Sequence, residues 1–432
     1  MHNKQYALHL IQDKLNGLNN FSYSQIACLT GYKKLQIIRL ANSLKTKDID
    51  SLLVHGLSGK RSNNSASPKE IEFIKNFKNQ YPLISISQFT DIYHEDIIYN
   101  PDMQAIVLSN NLKPRSYSFF NSLYKRFNWI SPIKHKEFNK SYKSHPLREP
   151  MPRRGMLVMI DGTPHDWFEN GDMWTLHLAI DDATGEILCG YFMPTECLYG
   201  YTMLLKLLVT SYGIPENIYS DRHTILVNPD SKETTHFGGM CEDLNINQIA
   251  ALSPEAKGKV ERMNFTIQNR LLNDIKRFNI IDYNELNSWF NSFYKDYLNK
   301  KYAYQPKEKI SSYKDIGNIN LDYVFCKRYE RIMLKGDVIS YGNHYYQVIA
   351  DGNYLKPIYR GSSLFVFEPI LSEPKHIYVK YYNHFYNTKV VHERMSRSEK
   401  IKITKIENQK ILDQLLKERD AKQKARMNKI SS

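Results

Sequence analysis

The 432-residue chain has no run of 18 apolar residues, so no transmembrane span is expected. Its opening, MHNKQYALHL, lacks the charged-then-apolar layout of a signal peptide. Cysteine is scarce: Cys28, Cys189, Cys197, Cys241 and Cys326 are odd in number and form no CxxC pair. That argues against a disulfide framework, and the absence of His and Cys at ligand spacing argues against structural zinc. Buried free thiols in a reducing compartment are expected, in the cytosol or on the nucleoid. Acidic residues are outnumbered, 45 against 59 Lys and Arg, which leaves a formal charge of +14. A surplus of that size favours polyanionic partners. Nucleic acid leads over a membrane surface, because no amphipathic basic segment precedes a lipidation or anchor motif. Hydrophobic residues, at 42%, suffice for real cores, and the length suits two to four domains.

The patterning divides the chain. Residues 1–54 predict short helices. In SYSQIACLTGYKKLQIIRLANSLK, apolar Ile26 and Leu29 precede a turn at Gly31, and Leu35, Ile38 and Leu40 follow it. Helix, glycine turn and basic helix form the helix-turn-helix pattern, with Lys33, Lys34 and Arg39 as candidate DNA contacts; any small helical hairpin would read alike. The linker 55–67 is rich in Gly, Ser and Asn, and its Lys60 and Arg61 suit phosphates or a minor groove, although a plain linker has the same composition. Over 68–130 helical periodicity resumes behind a Ser67-Pro68 start. There RSYSFFNSLYKRFNW suggests a second recognition helix, bringing in Arg115, Lys125 and Arg126. From 113 to 154 eleven Lys and Arg face two acidic residues, and 131–154, with Arg153 and Arg154, has no apolar period. This is the signature of an arm lying along phosphates, or of a solvated tether. Residues 155–300 predict a compact α/β domain, and 325–391 short strands that read as a small β-barrel. The tail 392–432 holds twelve basic and six acidic residues and predicts a polar helix or disorder.

Three carboxylates are singled out by placement. Asp161 ends the apolar strand MLVMID, Asp221 ends ENIYSD, and Glu261 lies on a helix expected from Ser253 towards Ile275. Like charges near one another raise each other's pKa, and a cation removes that cost. Asp and Glu oxygens with open positions suit Mg2+ or Mn2+. Two such ions about 4 Å apart serve in-line phosphoryl transfer. On the helix, Val260, Met263, Ile267 and Leu271 form one apolar stripe, while Lys257, Asn264 and Gln268 share the face of Glu261. Lys259 and Arg262 add charge beside it, and these five polar residues are candidate DNA contacts. Gly258 suits either a close approach of DNA or a flexible segment before the helix proper. Asp181 and Asp182, in AIDDATGE, fit turn chemistry. His165, Asp166 and His223 stand close enough in sequence to reach the site, with turn roles equally open.

Three strands, helix, strand, helix, strand, helix is the order of an RNase H-like fold. IDGTPHDWFE, LAIDDATGEI, YSDRHT and SPEAKGKVERMNFTIQNRL together resemble the catalytic core of ISNCY-type bacterial insertion-sequence transposases, within the DDE transposase and retroviral integrase superfamily. The similarity extends in layout over 1–395. It implies that Asp161, Asp221 and Glu261 are the metal-binding triad, with two Mg2+ ions, Mn2+ as substitute, and cleavage and strand transfer at terminal inverted repeats. It also implies double-stranded DNA, terminal and target, as partner. One chain offers a single triad for two DNA ends, so a homodimer or larger assembly is expected. The His/His/Cys/Cys zinc module of retroviral integrases has no counterpart, and the spacing from Asp221 to Glu261 is slightly longer than in those enzymes. The expected fold is therefore multidomain α+β: helix-turn-helix modules, an RNase H-like core and a C-terminal barrel. A catalytically inert DNA-binding regulator derived from such an enzyme is the alternative. An RNase H-like nuclease acting on hybrids is disfavoured by two DNA-reading modules and a basic arm.

Overall fold

The computed structural model describes residues 4–53, 65–133, 148–228, 234–250, 258–349, 360–372, 376–382 and 384–393, with a few positions between 405 and 419. Lys60, Arg61, Lys257, Ser253 and most of the expected tail lie outside them. The chain forms two units, Met1–Pro82 with Thr90–Ser116, and Leu83–Phe89 with Tyr117–Ser432.

In the first unit, α1 (Lys4–Leu15), α2 (Tyr23–Thr30), α3 (Lys34–Leu44) and α4 (Ile49–Leu53) are followed by α5 (Pro68–Asn79). Helix α6 (Ile86–Ile92) divides between the two units, and α7 (Gln104–Ser109) returns to the first. Ser22 opens α2: its hydroxyl accepts from the Gln25 N–H while the Gln25 side chain accepts from its own N–H. Gly31, at φ +77°, ends the helix in the left-handed conformation that favours glycine. Ala7, Ile11, Ile26, Ala27, Ile37 and Ala41 make the core. Leu29 and Leu35, read from the sequence as apolar positions of this pattern, lie outward at 54% and 71% exposure. Ser67 caps α5 and Pro68 stands in its first turn, as the sequence predicts.

After its part of α6, the second unit continues with α8 (Tyr117–Arg126) and then builds a five-stranded sheet. Its strands are β1 (Val158–His165), β2 (Trp174–Asp181), β3 (Ile187–Met193), β4 (Asn217–Ser220) and β5 (Asn247–Ala250). The order is β3-β2-β1-β4-β5, with β1 to β3 antiparallel and β4 and β5 parallel to β1. Helices α9 (Leu198–Tyr212) and α10 (His236–Asp243) join the later strands, and α11 (Gly258–Arg277) follows β5. Three strands, helix, strand, helix, strand, helix is thus the order observed. Alternate residues of β1 feed different cores. Val158 and Ile160 pack with Leu204 and Leu205 of α9, while Met159 packs with Val260, Ile267 and Leu271 of α11. Burying each such side chain contributes about 1.5–3 kcal/mol.

Strand β3 is the sheet's edge, and three asparagines cover it. They sit on α12 (Tyr283–Trp289), the π-helical turn Phe290–Tyr294, and α13 (Lys295–Tyr302). Asn287 pairs with both backbone groups of Phe192, Asn291 with both of Gly190, and Asn299 with both of Ile187. Six backbone hydrogen bonds that a sixth strand would make are supplied by side-chain amides.

After α14 (Leu321–Val324) comes a second sheet of β6 (Cys326–Ile332), β7 (Val338–Tyr341), β8 (His344–Ile349), β9 (Ser363–Pro369), β10 (Tyr378–Tyr381) and β11 (His384–Glu393). Its order is β6-β9-β10-β11-β8-β7, antiparallel throughout. The closed barrel expected here is instead a curled half-barrel: β6 and β7 stand at opposite ends of the order, with no ladder between them among the described residues. All five cysteines are free. Cys189, Cys241 and Cys326 are buried as expected, but Cys28 is exposed. None of the described helices is long and apolar enough to cross a membrane.

Candidate active site

The register of β1 against β4 aligns two of the three carboxylates. Met159 stands opposite Tyr219, the last pair of a parallel ladder. Asp161 and Asp221 each follow two residues later, so they come side by side where the strands part. Asp221 directly follows β4. Asp161 does not end its strand: β1 continues to His165, with Asp161 opposite Leu178 of β2. The polar half DGTPH is held by β2 through backbone bonds, which need no apolar side chains.

Helix α11 crosses at this point. The Asn264 amide donates to Asp161 Oδ2 at 2.8 Å. Asn264 is buried, and among the described residues its Oδ1 has no hydrogen-bond partner. A buried amide oxygen left unpaired costs free energy, and beside a carboxylate it makes a set of hard oxygen donors that a divalent cation would satisfy. Glu261, one turn earlier on α11, is exposed. Among the described residues no three His, Cys, Asp or Glu side chains converge closely enough to hold an ion. The register thus sets Asp161 and Asp221 at matching positions of neighbouring strands, while Glu261 is exposed on α11.

One residue near the pair escapes sequence reading. The Glu196 side chain lies against β1 at Gly162, where an added Cβ would stand 2.8 Å from its Cδ and 3.0 Å from the Tyr201 hydroxyl. Tyr201 donates to Glu196 Oε1 at 2.6 Å. Burial, then the charge and hydrogen bond of Glu196, then the charges of Asp161 and Asp221, push the phenol well above its ordinary pKa, so it stays a donor. Glu196 sits between β3 and α9 with no periodicity to mark it. The only signal was the glycine directly after Asp161.

Several expected DNA contacts are engaged internally. Asn264 faces Asp161 instead of solvent. Arg115 is buried and donates to Glu70 at 2.7 and 2.5 Å, because a buried guanidinium needs a carboxylate. Lys259 pairs with Asp182 at 2.9 Å. Arg154 holds Glu186 at 2.5 Å and Arg153 reaches Glu308 at 3.4 Å. The end of the basic arm is thus pinned to the α/β core by ion pairs, with Arg148 on Asp182 as a third. Lys33, Lys34, Arg39, Lys125, Arg126 and Arg262 are exposed, and Gln268 is half-buried. Gly258 opens α11, and among the described residues beyond its own chain neighbours and helix backbone nothing lies within 4 Å of where its Cβ would stand.

The remaining polar candidates serve turns. Asp181 accepts from Gly155, Thr184 and Tyr313. Asp166 accepts from the backbone of Asn170 and Gly171 in the β1–β2 connection. His165 packs edge-on against Trp167, and burial lowers its pKa. His223 donates its N–H to Asp221 Oδ1 at 3.2 Å, which fixes the carboxylate's orientation.

No family model matches the chain. It is 36% identical over 185 residues to "Putative transposase y4bF" of Sinorhizobium fredii, covering 41% of this chain and 40% of that protein. It is 32% identical over 212 residues to the transposase for insertion sequence IS1202 of Streptococcus pneumoniae, covering 47% and 45%. The match thus spans less than half the length of these relatives. The resemblance read from the motifs is to proteins that carry the transposase name. Among solved structures, the HTLV-2 integrase catalytic core in complex with magnesium aligns at 18% identity and a TM-score of 0.26, over 32% of this chain and 85% of that one. A simian T-cell lymphotropic virus intasome aligns at 12% and 0.30, over 67% and 95%. Likeness at these scores decides nothing about this chain.

Proposed function

We propose that the protein is a DNA transposase of the DDE type, with an RNase H-like core that cuts and joins insertion-sequence ends. The observation that carries this reading is the pairing of Asp161 with Asp221 at the parting of two parallel strands, under a helix whose buried Asn264 oxygen is unsatisfied. Asp161, Asp221 and Glu261 would hold divalent metal, Mg2+ with Mn2+ as substitute. Two such ions would activate the attacking oxygen and stabilise the leaving one. The chain's own residues do the positioning. Asn264 orients Asp161, and the His223 N–H fixes Asp221. Tyr201, kept protonated, holds Glu196 beneath β1. The exposed Lys33, Lys34 and Arg39 of the α2–α3 pair would read the terminal repeat, and Lys125, Arg126 and Arg262 would meet backbone phosphates. Two DNA ends require two active sites, so the working assembly is a dimer or larger, in the bacterial cytosol.

A second reading, an inert regulator, is favoured by one observation: among the described residues no three His, Cys, Asp or Glu side chains converge to hold an ion. One experiment separates the two. With Mn2+ and a terminal-repeat duplex, the wild type nicks the end, while Asp161→Asn, Asp221→Asn and Glu261→Gln each abolish nicking and keep DNA affinity. Retained activity in one variant removes that residue from the triad. A wild type that binds the repeat but never nicks is the regulator.

A further inference from the structure

A cleft of about 1020 Å³ opens between α10 and the half-barrel. The sheet face towards it is built in cross-strand rows. Glu330, Phe365, Lys380 and Phe385 align across β6, β9, β10 and β11, and Arg328, Phe367, Tyr378 and Asn387 form the neighbouring row. The intervening residues Leu364, Val366, Val379 and Tyr386 point the other way, into the half-barrel's core. Aromatic and cationic side chains therefore interleave on one face. The Lys380 ammonium lies 5.2 Å from the Phe385 ring and 5.9 Å from Phe367, and the Arg328 guanidinium 5.2 Å from Phe367. At the mouth, Phe365 is 49% and Tyr382 78% exposed.

The carboxylates lining the cleft are engaged. Asp243 pairs with Arg328 at 2.7 Å, Glu242 accepts from the Thr234 hydroxyl at 3.1 Å, and Glu330 accepts from the Ser363 hydroxyl. Gly239 on α10 admits the Arg328 head, since a Cβ there would lie 2.3 Å from Nη1. The opposite wall includes Thr224 and Ile225, three and four residues after Asp221.

Exposed rings beside cations are what an unpaired strand needs. Bases stack on aromatic faces, and phosphates pair with the adjoining ammonium group. A duplex keeps its bases inside and gains nothing from Phe365 or Tyr382. An acidic peptide would use the charges and leave the rings idle. We propose that this face binds single-stranded DNA, with bases on Phe365 and Tyr382 and the backbone along Lys380, leading from the cleft towards Asp221. The inference rests on the transposase reading for the presence of DNA, and it adds that part of the substrate is handled unpaired.

The test uses the full chain carrying Asp161→Asn, without divalent metal, so that cleavage plays no part. Fluorescence anisotropy with a labelled mixed-sequence oligonucleotide reads single-strand affinity, and the same sequence as duplex is the control. Stacking is lost at about 5- to 150-fold per base. Phe365→Ala with Tyr382→Ala should therefore weaken single-strand binding at least about tenfold and leave duplex binding within about twofold. Phe365→Trp with Tyr382→Trp should keep single-strand affinity, which excludes misfolding as the cause. Unchanged single-strand affinity in the alanine variant, equal losses for both DNAs, loss in the tryptophan variant as well, or competition by a poly-glutamate peptide as effective as by the oligonucleotide would each overturn the proposal. A wild type that never nicks would sink the transposase reading and leave this measurement standing.

Discussion

Replacing Asp274 by Asn should stabilise the protein at neutral pH and leave it unchanged in acid. Asp274 lies on α11, fully buried, and accepts from the Tyr294 hydroxyl at 2.8 Å. Burial pushes its carboxyl up from 3.8 to about 6. Arg270, Tyr294, Arg277 and Gln88 pull it down, but by less. Between those two values the folded chain holds a proton that the unfolded chain has released. Stability therefore falls as pH rises through that window, and the loss is complete above about pH 6. A shift of about two units at 1.36 kcal/mol each amounts to about 3 kcal/mol. Asn cannot titrate. The variant's stability minus the wild type's should be near zero at about pH 4 and climb to about 3 kcal/mol by pH 7. In a domain of this size that is a rise of about 6–12 °C in Tm. Melting both proteins across this range gives the curve directly. A difference that stays flat with pH would refute the titration. A variant that matches the wild type in acid but is less stable at neutral pH would show that the charge of Asp274 against Arg270 outweighs its burial.

Gly162→Ala should cost about 1–3 kcal/mol from overpacking. It should also cut nicking at least about tenfold while sparing DNA affinity, because the new Cβ meets Glu196 and Tyr201; full activity would show that the place of Glu196 does not matter. Lys34→Ala with Arg39→Ala should lower the salt dependence of end binding by about two units of slope; an unchanged slope would take α3 off the phosphates. Mixing Asp161→Asn chains with that basic-site double variant should restore nicking if one subunit binds the end another cuts. A silent mixture would mean that each chain cuts the end it binds.

Apolar periodicity carried most of what the sequence made legible. The stripe Val260, Ile267 and Leu271 is wholly buried, and Met263 packs at its margin. The strand and helix order of the α/β core follows from short apolar runs and turn residues. Polar residues that face inward were not legible. Asn264, Arg270, Asn273 and Asp274 all lie on the buried side of α11, and a reading that puts polar groups outside misplaces them. Arg115 counted as a DNA contact because its partner Glu70 is 45 residues away in sequence. The open half-barrel has the same cause. Whether β6 meets β7 depends on curvature accumulated over six strands, which no local pattern encodes.

The asparagines on the edge of β3 impose an order in time. The strand leaves the ribosome 95 to 112 residues ahead of the side chains that cover it. At about 5–20 residues per second, that edge stays uncovered for roughly 5–20 s of synthesis. During that interval it is an open template on which a neighbouring nascent chain can add a strand. Once Asn287, Asn291 and Asn299 dock, the edge is sealed, and subunits cannot join there by extending the sheet. Any truncation before Asn287 would leave it open for good, so the helices behind the α/β core act as a late-arriving guard against self-templating.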